Sequence, residues 1–283
     1  MRREKIVIFI FSMMISSGIL GQVILKQRNL SGETVKIEKP EINKEGWMSG
    51  SLQAELEAYI SENLKIRNYL IPIKNEITYH LLNSSPNSSI VIGKNKELYE
   101  EAYIGFETQI YNAMSRDEVL HLSDKLAAMD KVLSDKGKKL FVFITPSKAS
   151  VYPENIPDKY LAIAPKVRTE SSYHLFIEAL REKKISFYDS IPDIKALKET
   201  SDFRVFPRSG THWSNVAAAL CAQLLGDSME EQLGIDLPEI NVTYSPCEQP
   251  VAPDADLYCL LNLIKKSDEQ FYEPKISIVE PGG

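Results

Sequence analysis

Cysteine is scarce in this chain: three in 283 residues, at Cys221, Cys247 and Cys259, with no Cys-x-x-Cys spacing. An odd count without such spacing argues against a disulfide framework or a thiolate zinc site. Cys221 falls in an apolar helical run and reads as a small core residue, while Cys247 and Cys259 could pair in an oxidising compartment. Positive charge is also in short supply. Thirty-three Lys and Arg against 39 Asp and Glu leave a net charge of −6, and no basic block lies beyond the first few residues, so nucleic acid is excluded as a partner. No internal repeat or low-complexity block is present. Histidine is rare as well, with four in the chain, and long apolar runs are absent with one exception.

That exception is Ile6–Leu25, which follows Met1-Arg-Arg-Glu-Lys5 and precedes Lys26 and Arg28. About twenty residues at 1.5 Å each cross the ~30 Å hydrocarbon layer. A cleaved signal peptide is the competing reading. The run exceeds the usual apolar region of a signal peptide and no small-x-small site follows Leu25, so the sequence predicts an uncleaved anchor. Basic residues on its N-terminal side place the remainder of the chain outside the cytoplasm. Residues 1–30 therefore read as a membrane anchor or signal segment, with membrane lipid as its partner, residues 31–50 as a polar linker, and residues 51–283 as a folded domain. With 43% hydrophobic and 25% charged residues, the chain can bury a sizeable core.

Within that domain, Leu52, Leu56, Tyr59 and Ile60, and then Leu70, Ile73, Ile77 and Leu81, recur at helical spacing and predict two amphipathic helices. Ser89–Tyr99 has a hairpin pattern. Ser115 and Glu118 form a capping box before the stripe Val119, Leu122, Leu126, Met129 and Leu133, and Gly137 ends that helix. Lys139–Thr145 is nearly all apolar, as in a strand covered on both faces. Further helices are expected over Val167–Lys183, Ile191–Lys198 and Trp213–Met229, with strands at Ile185–Tyr188 and Lys275–Val279. Strands separated by helical stretches call for crossover connections, hence an α/β domain with a largely parallel sheet.

The stretch Arg208-Ser-Gly-Thr-His212-Trp213-Ser214 holds the histidine best placed for chemistry, in a loop that tips into a helix with Ser214 as N-cap. Imidazole titrates near neutral pH, so His212 is a candidate base for a hydroxyl nucleophile. The bland reading is a histidine bonded to a carbonyl, beside a core tryptophan.

Three groups of segments, taken in order, resemble the SGNH-hydrolase-like domain family of the alginate O-acetyltransferases AlgJ and AlgX. They are Ile92-Gly-Lys94 with Leu98-Tyr99; Thr145-Pro-Ser-Lys-Ala-Ser-Val-Tyr-Pro153 with Ile156-Pro157; and Gly210-Thr-His-Trp213 with Asp254-Ala-Asp-Leu257 and Leu260-Leu-Asn262. The resemblance spans about residues 50–283. It implies an exported, membrane-associated SGNH-like domain that moves acetyl groups onto hydroxyls of a surface polysaccharide. The acetyl donor would come through a membrane protein, with no metal or tightly bound organic cofactor. In that family an Asp-x-His motif supplies base and orienting acid, and a later serine is the nucleophile. His212 matches the histidine, but Gly210 stands where the family has Asp. Asp189, after its strand, is the candidate substitute acid. Lys275–Val279 followed by Glu280-Pro-Gly-Gly283 resembles the strand and turn that would present the serine, so the sequence is expected to stop short of it. Ser147 and Ser209 are the candidates for a substitute nucleophile. Lys148, Trp213 and Ser209 are the expected substrate contacts, Trp213 by stacking on a sugar face. A carbohydrate O-acetyl esterase would use the same residues, and a polysaccharide-binding or scaffold protein, or an inactive fragment, is the reading without catalysis.

Overall fold

The computed structural model describes residues 2–32, 37–111, 114–166, 170–251 and 253–280. The chain divides into two compact units, Met1–Asn87 with Cys259–Lys266, and Ser88–Tyr258 with Ser267–Gly283. The division falls at residue 87, well beyond the end of the polar linker read from the sequence.

The first unit is helical. α1 (Arg2–Ile24) contains, over Glu4–Ile24, the one helix among the described residues long and apolar enough to cross a membrane by length and composition. α2 (Lys44–Ser49), capped by the Asn43 side chain on the Gly46 N–H, lies inside the stretch read as linker. The two amphipathic patterns become α3 (Ser51–Asn63) and α4 (Arg67–His80). The burial of α4 reverses the expectation. Asn68, Pro72, Asn75 and Tyr79 are its buried residues, and the aliphatic stripe points outward.

The second unit mixes helices and short strands. The hairpin forms from β1 (Ile90–Ile92) and β2 (Leu98–Glu100), paired antiparallel, and leads into α5 (Glu101–Glu107). α6 (Arg116–Ser134) starts at Ser115, whose hydroxyl accepts from the Glu118 N–H while the Glu118 carboxylate accepts from the Ser115 N–H. β3 (Val142–Ile144) pairs in parallel with β4 (Phe187–Asp189). Between them run α7 (Lys148–Val151), α8 (Asp158–Ile163) and α9 (Ser172–Glu182), so the helical crossover expected of a parallel pair is present. Val167, the expected start of α9, lies outside the described residues. α10 (Ile191–Thr200) and α11 (Asn215–Leu233) follow, the latter capped by Ser214 accepting from the Ala217 N–H.

Parallel pairing among the described residues is confined to β3 and β4. The remaining ladder, β5 (Glu239–Cys247) with β6 (Phe271–Val279), is antiparallel over nine residues, with α12 (Asp256–Leu260) between its strands. β5 was not anticipated, and β6 begins earlier than the expected Lys275. The turn residues Pro281–Gly283 lie outside the described residues. β3 also differs from expectation: its three residues are half-buried or exposed rather than covered on both faces. Val142, Phe143, Ile144 and Thr145 all line an open groove of about 980 Å³. Successive side chains alternate between faces, so a groove touching four in a row runs along the strand's edge. All three cysteines are free thiols, and the bridge considered for Cys247 and Cys259 is not made.

The main core gathers Val151, Tyr188, Ile194, Phe206, Val216 and Cys221 with their neighbours. It fixes both ends of the segment 206–216 that carries the histidine, because Phe206 and Val216 are buried at its two flanks. Phe206→Ala is expected to cost about 3–5 kcal/mol, read as a lowered urea midpoint of the full chain in detergent. A loss below about 1 kcal/mol would show that the segment is not held by its core flanks.

Candidate active site

His212 sits in the last turn of a loop that runs from Pro207 to the cap of α11. Two oppositely charged groups hold that loop from two directions. Lys148, the first residue of α7, is buried, and its Nζ donates to the carbonyl oxygens of Pro207 (2.6 Å), Gly210 (2.7 Å) and Arg208 (3.1 Å). The same ammonium pairs with the buried Glu97 carboxylate at 2.9 Å. The Glu269 carboxylate accepts from the Arg208 N–H (2.6 Å), the Ser209 N–H (3.1 Å) and the Ser209 hydroxyl (2.7 Å). Arg204 joins the two acids, 2.6 Å from Glu97 and 3.7 Å from Glu269. Cation to carbonyls and anion to N–H groups satisfies a short piece of backbone that no ladder serves. Burial pushes the Lys148 ammonium down to about 8, against the pull of Glu97.

Beyond this clamp the loop meets the segment 254–258. The Ser209 carbonyl accepts from the Tyr258 N–H, and the Thr211 N–H donates to Asp256 Oδ1 at 2.9 Å. Asp256 Oδ2 lies 3.6 Å from His212 Nε2. That is longer than a hydrogen bond, but it is an ion-pair distance once the ring takes up a proton. The His212 side chain is 58% exposed, so its other face is open to a reactant. With Asp256 beside Nε2, the proton of the uncharged ring is favoured on that nitrogen. Asp254, next to it, is buried and accepts from the backbone and side chain of Asn215 at 3.3 and 3.0 Å. Burial raises its carboxyl to about 6, with Glu269 and Asp256 adding to the rise and the Asn215 bonds opposing it.

Gly210 is explained by the same segment. A Cβ there would lie 2.6 Å from the Asp254 carbonyl oxygen and 3.1 Å from Asp256 Oδ1. The space that a side chain at 210 would need is therefore filled by residues 254–256, and a carboxylate from those residues stands by the histidine. Asp256 was missed in the sequence. Its segment was among those carrying the family resemblance, but nothing local marks Asp256 as the partner of His212.

The other expected site residues are dispersed. Asp189, considered as the supporting acid, accepts instead from the Tyr173 hydroxyl and from the Ile191 N–H at the start of α10. Lys148, expected to touch substrate, is buried and bonds the backbone of His212's neighbours. Ser209, expected as a substrate contact or nucleophile, is buried against Glu269. Ser147 is the N-cap of α7, accepting from Ser150. Trp213 is half-buried against the main core and stacks 6.2 Å from Phe143, which lines the groove along β3. Among the described residues no cluster of three or more His, Cys, Asp or Glu side chains is arranged to hold a metal ion.

Two outcomes follow. Lys148→Met should destabilise the protein by about 3 kcal/mol, because it leaves buried oxygens without their cation. Glu97→Gln added to it should cost less than the sum of the two single changes, and strict additivity in the urea midpoints would contradict a coupled clamp. For Asp254, the folded value lies above the unfolded one of 3.8. The stability this confers is fully present below about pH 4 and is lost as pH rises through about 6. Asp254→Asn keeps the acceptor for Asn215, so it should be more stable than the parent by about 1–3 kcal/mol at pH 8, and the gain should vanish near pH 4. Equal stability differences at both pH values would contradict this.

Comparison with known proteins gives a family and relatives. The family model described as "SGNH hydrolase-like domain, acetyltransferase AlgX" matches residues 90–275, which include the clamp, the histidine loop and the segment 254–258. Two curated relatives are named probable alginate O-acetylase AlgJ. The one from Pseudomonas aeruginosa is 25% identical over 228 residues, covering 81% of this chain and 55% of the relative. The one from Pseudomonas syringae pv. tomato is 25% identical over 231 residues, covering 78% and 55%. This chain thus spans about half the length of those relatives. Among solved structures, the O-acetyltransferase domain of Pseudomonas putida AlgJ matches with a TM-score of 0.46 at 21% identity, over 68% of this chain and 66% of that one. Pseudomonas aeruginosa AlgX matches with a TM-score of 0.45 at 14% identity, over 69% and 45%.

Proposed function

The chain belongs to the SGNH hydrolase-like domain family of the acetyltransferase AlgX, and from that premise we propose that it is a membrane-anchored O-acetyltransferase acting on sugar hydroxyls of an extracytoplasmic polysaccharide. The observation that carries the reading is the pairing of His212 with Asp256 at the mouth of a loop whose backbone is held by Lys148 and Glu269. A base needs an orienting carboxylate to fix its tautomer and stabilise the imidazolium. Asp256 supplies it from a different place in the chain than an Asp-x-His motif would.

In this scheme His212 takes the proton from a serine hydroxyl as that oxygen attacks the acetyl carbonyl, and passes it to the donor's departing group, leaving an acetyl-serine. His212 then takes the proton of a sugar hydroxyl that attacks the acetyl group, and returns it to the serine oxygen as the acyl bond breaks. Ser147 and Ser209 are engaged elsewhere, and neither is that serine. Asp189, Lys148 and Ser209 have no direct part in it: Lys148 and Ser209 belong to the support of the loop. The groove along β3 offers the sugar rings aromatic faces at Phe143 and Tyr173 and hydroxyls at Thr145 and Ser147. Its closeness to Trp213 supports a polymer track that passes the histidine. α1 anchors the domain to the membrane, with residues beyond it outside the cytoplasm. A membrane protein delivers the acetyl group, and alginate, named in the two relatives, is the first polymer to test.

The test is acetyl release from p-nitrophenyl acetate and transfer to oligosaccharide by the full protein in detergent. His212→Ala is expected to lower kcat by about 10³-fold or more, and Asp256→Asn by about 10²–10⁴. Turnover unchanged in His212→Ala would sink the catalytic assignment. A folded, inert protein that still binds the polysaccharide would replace it with the binding reading.

A further inference from the structure

α4 wears its amphipathic pattern inside out. Leu70, Ile73, Ile77 and Leu81 form one aliphatic stripe at i, i+3, i+7 and i+11, and each is 47 to 77% exposed. On the opposite side of the helix two amides are buried. Asn68 Nδ2 donates to the Arg28 carbonyl at 2.7 Å and Asn75 Nδ2 to the Leu261 carbonyl at 2.8 Å. A helix in water buries the aliphatic side and shows the amides. The stripe therefore faces an apolar medium.

The place where α4 starts says which medium. The α3–α4 corner is tied to the end of α1 and the residues just after it. Gln22 Nε2 donates to the Asn63 carbonyl, the Lys65 N–H donates to Gln22 Oε1, and Lys65 Nζ donates to the Gln22 carbonyl at 2.8 Å. The Tyr69 hydroxyl donates to the Lys26 carbonyl at 3.1 Å. Leu64 and Ile66 pack on α1: a Cβ on Gly18 would be in ordinary contact with the first at 3.9 Å, and one on Gly21 would lie tightly against the second at 3.2 Å. If α1 crosses the bilayer, its last turns lie at the boundary between acyl chains and headgroups, and α4 leaves from that depth. Lys74 sits about 55° round the helix from the centre of the stripe, where a long basic side chain reaches headgroup phosphates while its stem stays in apolar surroundings.

We propose that α4 is an interfacial helix lying in the headgroup–acyl boundary of the extracytoplasmic leaflet, with Leu70, Ile73, Ile77 and Leu81 in lipid. The proposal rests on the reading of α1 as a membrane span. It gives the anchor a second, in-plane contact, which restrains rotation of the first unit about α1.

The test uses the full chain with Cys247→Ser and Cys259→Ser, leaving Cys221 buried, and places an environment-sensitive thiol probe at Ile73→Cys or Met13→Cys. The proteins are reconstituted in vesicles of phosphatidylcholine and phosphatidylglycerol. A nitroxide near the top of the acyl chain should remove about half or more of the emission at position 73, and a nitroxide deep in the chain should act more strongly at position 13. Probe 13 quenched while probe 73 is reached by aqueous iodide and not by either nitroxide would overturn the proposal and leave the anchor standing. Neither probe quenched by lipid would overturn both. Disulfide cross-linking between Ile73→Cys chains without lipid quenching would assign the stripe to a second copy of the chain and likewise overturn it.

Discussion

Lys148 carries a positive charge into the interior, and the oxygens it meets there decide the course of the histidine loop. Three of them are main-chain carbonyls of Pro207, Arg208 and Gly210, and the fourth belongs to Glu97. A buried ammonium has three protons to place, and if the loop drifts away only Glu97 remains to receive them, at a cost of several kcal/mol. Glu269 adds the complementary constraint on the N–H groups of Arg208 and Ser209. A site on a loop is usually less exact than one on a helix or strand. Here a charge network supplies the rigidity that regular structure would otherwise give.

The constraint extends to the acid. Because the loop passes so close to residues 254–256, position 210 has no room for a side chain. The same closeness sets Asp256 beside the ring of His212. The lack of room for a side chain at 210 and the acid at 256 are thus two aspects of one packing arrangement. Asp254 is the adjoining strain. It is a carboxylate kept largely dry, bonded to the first residue of α11 and raised toward neutrality.

Much of the helical framework was legible in the sequence because its signals are local. Ser115 with Glu118, and Ser214 ahead of α11, mark helix starts by cap chemistry within four residues. The β1–β2 hairpin follows from a short β-branched run and a polar turn. The parts that were missed depend on distant contacts. β5 is mostly half-buried or exposed and carries Pro246, so it lacks both an alternating and a continuous apolar pattern. The periodicity of α4 was read correctly as helical, but periodicity says only that a helix has an apolar side, not what covers it. At the site, the histidine was readable from its loop. Its acid was not, because Thr211 and Asp256 meet across 45 residues of sequence. The role of Lys148 was equally hidden, since a Ser-Lys pair after a strand looks the same whether its ammonium reaches water or three carbonyls.

Orientation of His212 by Asp256 is read by ¹⁵N NMR of the histidine rings in the full protein, with the His212 signals assigned by their loss in His212→Gln. The expected result is the Nε2–H tautomer, with the tautomer balance shifted away from Nε2–H in Asp256→Asn. An Nδ1–H ring in the parent, or a tautomer unchanged by Asp256→Asn, would contradict it.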